Sequence, residues 1–184
     1  MKGVVVFDVD EFIKDCQAAL SENEPRRAIR EVLTREMSNA SDVAGALEHH
    51  HAGIIPLHRA DDLTVLNVVW GPGMQLLPHD HRMWAAIGIY AGRERNAFFR
   101  RQDNTIVDSG GKELHESDVL LLGDDAVHSV TNPLRSYTGA IHVYGGDFFR
   151  EGRSQWNPST SLEEPFDFEL VRALFEASNK VGTE

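Results

Sequence analysis

The feature that most constrains the fold is a change of pattern at Leu63. From there to Tyr144, short apolar or alternating runs are broken about every eight to twelve residues by Gly, Asp, Asn or Pro. This rhythm is typical of an antiparallel sandwich or barrel. Turn signals occur at Gly110-Gly111 and at Thr131-Asn132-Pro133. The pattern predicts strands over 63–70, 74–79, 82–91, 94–101, 105–108, 112–115, 118–122, 126–131 and 136–144.

Helical periodicity flanks this β region on both sides. Upstream, apolar residues recur at spacings of three and four and predict helices over 9–20 and 24–36, with a short third helix over 42–48. Asp8 or Asp10 is a candidate N-cap, and Pro25 suits the first turn of a helix. A final helix is predicted over 167–179.

The length of 184 residues favours one domain. The elements divide it into a helical region over 1–55, a β-barrel over 60–145 and a C-terminal extension with a helix over 146–184. The fold class expected is therefore mainly β, with N-terminal helices and a C-terminal helix.

Composition excludes several classes of partner. The chain carries 18 Lys and Arg against 29 Asp and Glu, a net charge of −11. Such a field repels phosphate backbones and anionic membranes, so neither nucleic acid nor a membrane is expected as a partner. The opening apolar run is too short for a signal peptide, and no run approaches the length of a membrane span, which predicts a cytoplasmic protein. The lone Cys16 cannot form an internal disulfide and is expected to be a small buried residue.

Histidines carry the chemical signal. Because side chains alternate along a strand, His79 and His81 face one side while Asp80 faces the other. His128 arrives on another strand-like segment that can pair beside the first. Imidazoles among Leu, Pro and Trp residues are costly to bury without partners, and a metal would satisfy them. By contrast, the consecutive residues 49–51 diverge in direction and are interpreted as ordinary polar histidines.

Two motifs around these histidines resemble those of the cupins. The first is Gly73, five residues, His79-Asp80-His81 and a turn glycine at Gly92; the second is His128 followed after three residues by Asn132. The resemblance implies a double-stranded β-helix, or jelly-roll barrel. The usual cupin glutamate falls at Ala85, so the chain is similar to the three-histidine subclass.

Within that subclass, the chain resembles the bacterial thiol dioxygenases, the cysteine and 3-mercaptopropionate dioxygenase family. The resemblance covers residues 60–156 and is carried by Trp70-Gly71-Pro72-Gly73, Pro78-His79-Asp80-His81, Trp84 and Ile87-Gly88-Ile89. It implies one Fe(II) per chain on His79, His81 and His128, with Zn or Ni as ions that purification could leave in its place. The implied substrates are a small thiol and O2, which bind the iron and yield a sulfinate. The oligomeric state stays open between monomer and homodimer.

The resemblance extends to residues around the metal. In this family a Ser-His-Tyr relay points its tyrosine hydroxyl at the metal-bound ligands, and His142 and Tyr144 match its last two members. Ala140 replaces the serine, so the outer hydrogen bond to His142 is absent or comes from another group such as Thr138. The alternative is a structural His-Tyr pair in the barrel wall.

A substrate carboxylate calls for an arginine fork. Arg153 lies nine residues after Tyr144, the spacing of the carboxylate-binding arginine in mercaptopropionate-type enzymes, and is the preferred candidate. Arg59 matches the position used in mammalian-type cysteine dioxygenases, after an alignment gap, and Trp84 completes the expected substrate-binding set. Arg150 is a nearby decoy, and a surface salt bridge is the alternative role for all three arginines.

Two other functions fit the same histidines. One is a three-histidine cupin dioxygenase that cleaves a diketone-like substrate, which needs neither an arginine fork nor a His-Tyr relay. The other is a non-catalytic, metal-dependent cupin that binds a small molecule. Mammalian-type cysteine dioxygenases also carry a cysteine near the position of Ala85 that is joined covalently to the tyrosine; here the only cysteine is Cys16, so Tyr144 is expected to stay unmodified.

Overall fold

The computed structural model describes residues 7–181, so the ends of the predicted domain, 1–6 and 182–184, lie outside the described residues. Four helices and eleven strands fill that range. The helices are α1 (Val9–Ala19), α2 (Pro25–Met37), α3 (Ala40–Ala46) and α4 (Phe168–Val181). The strands are β1 (Gly53–Arg59), β2 (Thr64–Trp70), β3 (Gln75–Asp80), β4 (Ala85–Ala91), β5 (Arg93–Gln102), β6 (Thr105–His115), β7 (Val119–Leu122), β8 (Val127–Thr131), β9 (Thr138–Tyr144), β10 (Ser154–Trp156) and β11 (Glu163–Pro165).

The N-terminal helices begin where their caps predict. The Asp8 side chain accepts a hydrogen bond from the Glu11 amide at 2.9 Å and satisfies one free N–H of α1. Pro25 opens α2, where the missing amide hydrogen costs nothing. The apolar stripe of α2 is fully buried at Ile29, Leu33 and Met37, as its spacing predicts.

The strands form two antiparallel sheets. Their orders are β1-β2-β9-β4-β7 and β11-β10-β3-β8-β5-β6. In the central eight strands, β2 to β9, each strand of the first half lies beside strands of the second half, which is the order of an eight-stranded jelly roll. The mainly β, double-stranded β-helix architecture predicted from the motifs is therefore confirmed.

The first sheet is buried on both faces. Its inner face, with Val68, Ile87 and Ala140, belongs to the cluster that fills the barrel. Its outer face, with Val65 and Ile141, belongs to a second cluster under α1, α2 and α3. Residues 138–144 therefore alternate as strand geometry requires, with Ala140 and Tyr144 inside and Ile141 and Val143 outside.

Several predicted boundaries were wrong. The turn at Gly110-Gly111 does not exist: β6 runs through it as one strand, and Gly110, with a φ of 110°, absorbs the irregularity opposite Phe98 and Phe99. β4 begins at Ala85 rather than 82 because Arg82, with a φ of 55°, breaks the strand. β1, β10 and β11 were missed: β1 precedes the change of pattern, and the other two are only three residues long.

No helix within residues 7–181 has the length and apolar character needed to cross a membrane.

Candidate metal centre

The three predicted histidines meet inside the barrel. His79 lies on β3 and His128 is its direct partner on β8, while His81 follows one residue after β3 ends. The ring centroids are 4.7 to 5.0 Å apart. One nitrogen from each ring can be chosen so that all three lie within 4.8 Å of one another. The structure therefore contains a three-histidine site capable of binding a metal ion.

A bulge in β3 turns His79 inward. The register between β3 and β8 shifts by one residue between Leu76 and His79. In a regular strand, residues three apart face opposite sides, yet Leu76 and His79 both line the interior. The extra residue in β3 thus resets the alternation just before the histidines.

The nitrogens and their protonation suit a metal. His79 Nε2 and His81 Nε2 lie 3.2 Å apart, and two nitrogens that each sit about 2.0–2.1 Å from one ion can be at most about 4.2 Å apart. His128 Nε2 is buried with no partner among the described residues. Burial lowers the pKa of His79 to about 4 and holds the pKa of His81 and His128 well below the ordinary value. All three rings are therefore neutral at pH 7, with lone pairs available to a cation.

Position 85 contributes no carboxylate. Ala85 is fully buried on β4, and its cross-strand partner on β9 is Tyr144. No acidic side chain belongs to the cluster of ligand atoms among residues 7–181.

The Nδ1 atoms of two of the histidines are hydrogen-bonded to neighbouring groups. His79 Nδ1 lies 2.9 Å from the Leu77 carbonyl oxygen, and His128 Nδ1 lies 2.7 Å from Asn96 Oδ1. Asn96 Nδ2 in turn donates to Glu94 Oε1 at 2.8 Å. Sequence reasoning missed Glu94 and Asn96. The signal was two polar residues at alternate positions of one strand, both of which the structure buries.

His142 and Tyr144 form a pair beside the metal ligands. His142 Nδ1 lies 2.9 Å from the tyrosine hydroxyl oxygen, and the Tyr144 ring lies 5.0 Å from that of His81. Burial lowers the pKa of His142 to about 3 and raises the pKa of Tyr144. Thr138 does not orient His142, since its hydroxyl donates to the Arg93 carbonyl and bonds Asn132. His142 Nε2 has no partner in the described part of the chain.

Arg153 is buried in the same interior. Its Nη1 donates to the Phe148 carbonyl at 2.7 Å and its Nε to the Asp80 carbonyl at 3.2 Å, while Nη2 is buried without a partner in residues 7–181. The guanidinium carbon lies 4.1 Å from the Phe166 ring centroid and 4.4 Å from that of Phe148. Burial lowers the pKa of Arg153 to about 10, so it stays charged at pH 7.

Asp80 connects the metal strand to the segment that carries Arg153. Its side chain is fully buried, accepts the Ser154 amide at 2.8 Å and pairs with Arg82 and Arg101. The residue between the two histidines therefore faces away from the metal ligands, as alternation predicts, and secures the chain at Ser154.

One small cavity unites these groups. Its volume is about 20 Å³, which is room for about one water molecule. It is lined by Ile54, Val68, Trp70, Leu76, His79, His81, His128, Val130, His142, Tyr144, Phe148, Arg153, Phe166 and Val171. The predicted metal ligands, the His-Tyr pair and Arg153 thus share one enclosed space with largely apolar walls.

Two predicted substrate-binding residues lie elsewhere. Arg59 is exposed and binds Asp147 through two hydrogen bonds of 2.8 Å each. Trp84 packs with the cluster on the outer face of the first sheet and does not line the cavity. Arg150, the nearby decoy, is exposed.

No protein-family model matches this chain. Solved structures resemble it at low sequence identity. A protein from Bacillus halodurans is 17% identical, with a TM-score of 0.47, over 62% of this chain and 77% of that one. An RmlC-like cupin family protein with a double-stranded β-helix fold, from Methanocaldococcus jannaschii, is 12% identical, with a TM-score of 0.44, over 55% and 85%.

A third similar structure is Peruvianin-I, a cysteine peptidase from the latex of Thevetia peruviana. It is 17% identical, with a TM-score of 0.40, over 46% of this chain. The match spans about half of that protein, 51% of its chain.

Proposed function

We propose that this protein is a non-haem Fe(II) dioxygenase that oxidises a small thiol carboxylate, of the cysteine or 3-mercaptopropionate type, to a sulfinate with O2. The observation that carries the proposal is a buried arginine with a free N–H group in the same cavity as three neutral histidines. A diketone or a purely structural metal would need no such cation.

The ligand set suits an anionic substrate. His79, His81 and His128 would hold the iron, and neutral ligands leave its double positive charge uncompensated. Iron in this site would supply a binding position for the thiolate, a lowered thiol pKa and activation of O2. With Ala85 in place of an acidic ligand, a substrate thiolate becomes the charge-neutralising group.

Arg153 would bind the substrate carboxylate. It makes no ion pair among the described residues, and burying a cation without an anion is costly. A carboxylate that accepts from Nη2 would supply the missing charge. The Phe148 and Phe166 rings hold the guanidinium plane in place, which favours a fixed direction for that hydrogen bond.

Tyr144 would donate a hydrogen bond to bound substrate or O2. If His142 carries its proton on Nδ1, it donates to the tyrosine oxygen and leaves the phenol proton free for a ligand in the cavity. The opposite tautomer would bury an N–H at Nε2 with no acceptor in the described residues, which is unfavourable. The pair therefore favours Tyr144 as a donor.

Substrate entry requires movement of the cavity wall. A volume of about 20 Å³ is smaller than any thiol carboxylate. Phe166, a half-buried side chain that lines the cavity beside Arg153, would have to move to admit a substrate. We place the reaction in the cytoplasm, where free thiols stay reduced.

The function is tested by oxygen uptake. Protein loaded with iron under anaerobic conditions is supplied with cysteine, 3-mercaptopropionate, cysteamine or acetylacetone, and products are identified by mass spectrometry. We expect O2 uptake and a sulfinate with a thiol carboxylate. Uptake with acetylacetone alone would favour the diketone dioxygenase, and metal binding without uptake on any substrate would favour the non-catalytic cupin.

Arginine variants test the carboxylate site. Arg153→Ala should destabilise the transition state for carboxylate thiols by about 2–5 kcal/mol, the range for removing one partner of a buried charged pair. The activity with cysteamine, which has no carboxylate, should stay unchanged. Arg150→Ala changes an exposed arginine three positions away and should leave the activity with both kinds of thiol unchanged. Equal losses for both thiols in Arg153→Ala would contradict the assignment.

A further inference from the structure

Four buried side chains form a hydrogen-bonded chain behind the metal ligands. Trp70 Nε1 donates to Glu94 Oε2 at 2.9 Å, and Asn96 Nδ2 donates to Glu94 Oε1 at 2.8 Å. Asn96 Oδ1 lies 2.7 Å from His128 Nδ1. Glu94, Asn96 and His128 are each at most 1% exposed. The series of hydrogen bonds ends at His128, whose ring lines the cavity. Its Nε2 atom has no hydrogen-bond partner in the described range.

Each link of this chain has one allowed polarity. When ionised, Glu94 only accepts, so it requires the NH2 group of Asn96 to point toward it. The carbonyl oxygen of Asn96 then points toward His128, and that oxygen also only accepts. The proton of the His128 ring must therefore sit on Nδ1. The lone pair is left on Nε2, the nitrogen that a metal needs.

We propose that Glu94 is a positioning residue that fixes the tautomer of His128 through Asn96 and so directs the Nε2 lone pair of His128 toward the metal. This proposal rests on the metal site of the proposed function. Glu94 touches neither the histidines nor the cavity among the described contacts, and it acts only through Asn96.

A purely structural carboxyl does not account for this arrangement. Glu94 forms no ion pair among residues 7–181, and its two hydrogen bonds come from neutral donors. A glutamine of the same shape could satisfy Trp70 equally well, without a charge to desolvate. With its carbonyl oxygen held by Trp70, a glutamine would present its NH2 group to Asn96, and Asn96 would then turn its own NH2 group toward His128 and reverse the direction of the bonds. The acceptor-only character of Glu94 is the property that the chain of bonds uses.

The tautomer can be measured without metal. At pH 8.5, above the pKa of about 7 to which burial raises Glu94, ring ¹⁵N shifts of His128 in the metal-free wild-type protein should report a proton on Nδ1. Glu94→Gln should move the ring proton to Nε2, and Asn96→Ala should give a mixture of tautomers. Zn(II) affinity, measured by chelator competition, should fall about 10–100-fold in both, the usual effect of losing an outer partner of a ligating histidine. Glu113→Gln, a partly exposed glutamate on β6 that pairs with Arg93 and Arg95, is the control and should change neither the tautomer nor the Zn(II) affinity.

A double variant separates direction from packing. In Glu94→Gln with Asn96→Asp, the new carboxylate accepts from His128 Nδ1 and the glutamine donates to it, so the tautomer and the Zn(II) affinity should both recover. Loss of packing alone would not be repaired by a second change. A wild-type His128 protonated on Nε2, an unchanged tautomer in either single variant, or a folded double variant without recovery would overturn the proposal. If the wild type binds no metal, the proposed function fails while the tautomer measurement still decides this inference.

Discussion

Unsatisfied nitrogens are concentrated in one place in this protein. Within residues 7–181, six buried side-chain atoms lack a hydrogen-bond partner, and four of them belong to His81, His128, His142 and Arg153. All four side chains line the same cavity. Since buried polar groups are normally paired, such a cluster indicates a space meant for a ligand with several acceptor or electron-accepting positions. A cation on His128 Nε2 and an anion on Arg153 Nη2 would satisfy two of the four.

The metal site gives the first prediction at this scale. His128→Ala removes one of three converging nitrogens and should abolish most metal binding, as measured by metal analysis after loading and desalting. His50→Ala replaces an exposed histidine outside the cluster and should retain full occupancy. Full occupancy in His128→Ala would contradict the three-ligand site.

The second prediction concerns Tyr144. Cys16 lies in the cluster on the outer face of the first sheet, whereas Tyr144 lies in the inner cluster. A thioether between them cannot form in the folded protein, and Ala85 opposite Tyr144 offers no sulfur. Intact mass after aerobic turnover should show no loss of two hydrogens. A Cys16–Tyr144 peptide in a digest would refute this.

Burial of the same thiol has a further consequence. Burial raises the pKa of Cys16 to about 12, and a thiol without thiolate character is a poor nucleophile. Iodoacetamide at pH 8 should therefore leave Cys16 unmodified in native protein and alkylate it in urea. Rapid alkylation of the folded protein would contradict the packing of α1.

Among the secondary-structure elements, those with a clear local periodicity could be predicted from the sequence, whereas those that depend on pairing with a distant strand could not. The three longer helices and the main strands follow from local patterns, and His79, His81 and His128 from their motifs. β10 and β11 could not be predicted, because three-residue strands exist only through pairing with β3 and with each other. The bulge in β3 and the contact between Asn96 and His128 likewise depend on a neighbouring strand.

The contact between α2 and β4 gives a prediction for this scale. A Cβ at Gly88 would lie 2.8 Å from Met37 Cγ and 3.0 Å from Leu33 Cγ, so these buried side chains must shift to admit it. Gly88→Ala should lower the free energy of unfolding in urea by about 1–3 kcal/mol, the usual cost of overpacking. Gly123→Ala, where a new Cβ meets nothing within 4 Å, is the control and should change it little. A neutral Gly88→Ala would show that the α2 layer is loosely packed.

For the whole molecule, the buried histidines couple stability to pH. In the metal-free protein, burial lowers the pKa of His79 to about 4 and of His142 to about 3, and holds the pKa of His81 and His128 well below the ordinary value. Between these values and the ordinary pKa of about 6.5, the unfolded chain binds more protons than the folded one, so the free energy of unfolding falls as pH drops.

One buried group opposes this trend. Burial raises the pKa of Glu94 to about 7, so between about 4.5 and 7 the folded state binds its proton more readily and gains stability as pH falls. Four histidines outweigh one carboxyl. Urea unfolding at pH 7.5, 6.5 and 5.5 should therefore show stability falling steadily below pH 6.5. Constant stability across this range would mean that the four rings are not buried together.

The jelly-roll strand order also determines how late in protein synthesis the metal site can form. His79 and His81 belong to the first half of the barrel, whereas His128, the His142–Tyr144 pair and Arg153 are supplied by strands and loops translated afterwards. A nascent chain that has emerged only as far as β4 carries two of the three ligands and no partner strand to orient them. Because the missing contacts are distant in sequence, they form late. A metal ion held by all three histidines would therefore bind only after most of the barrel has formed.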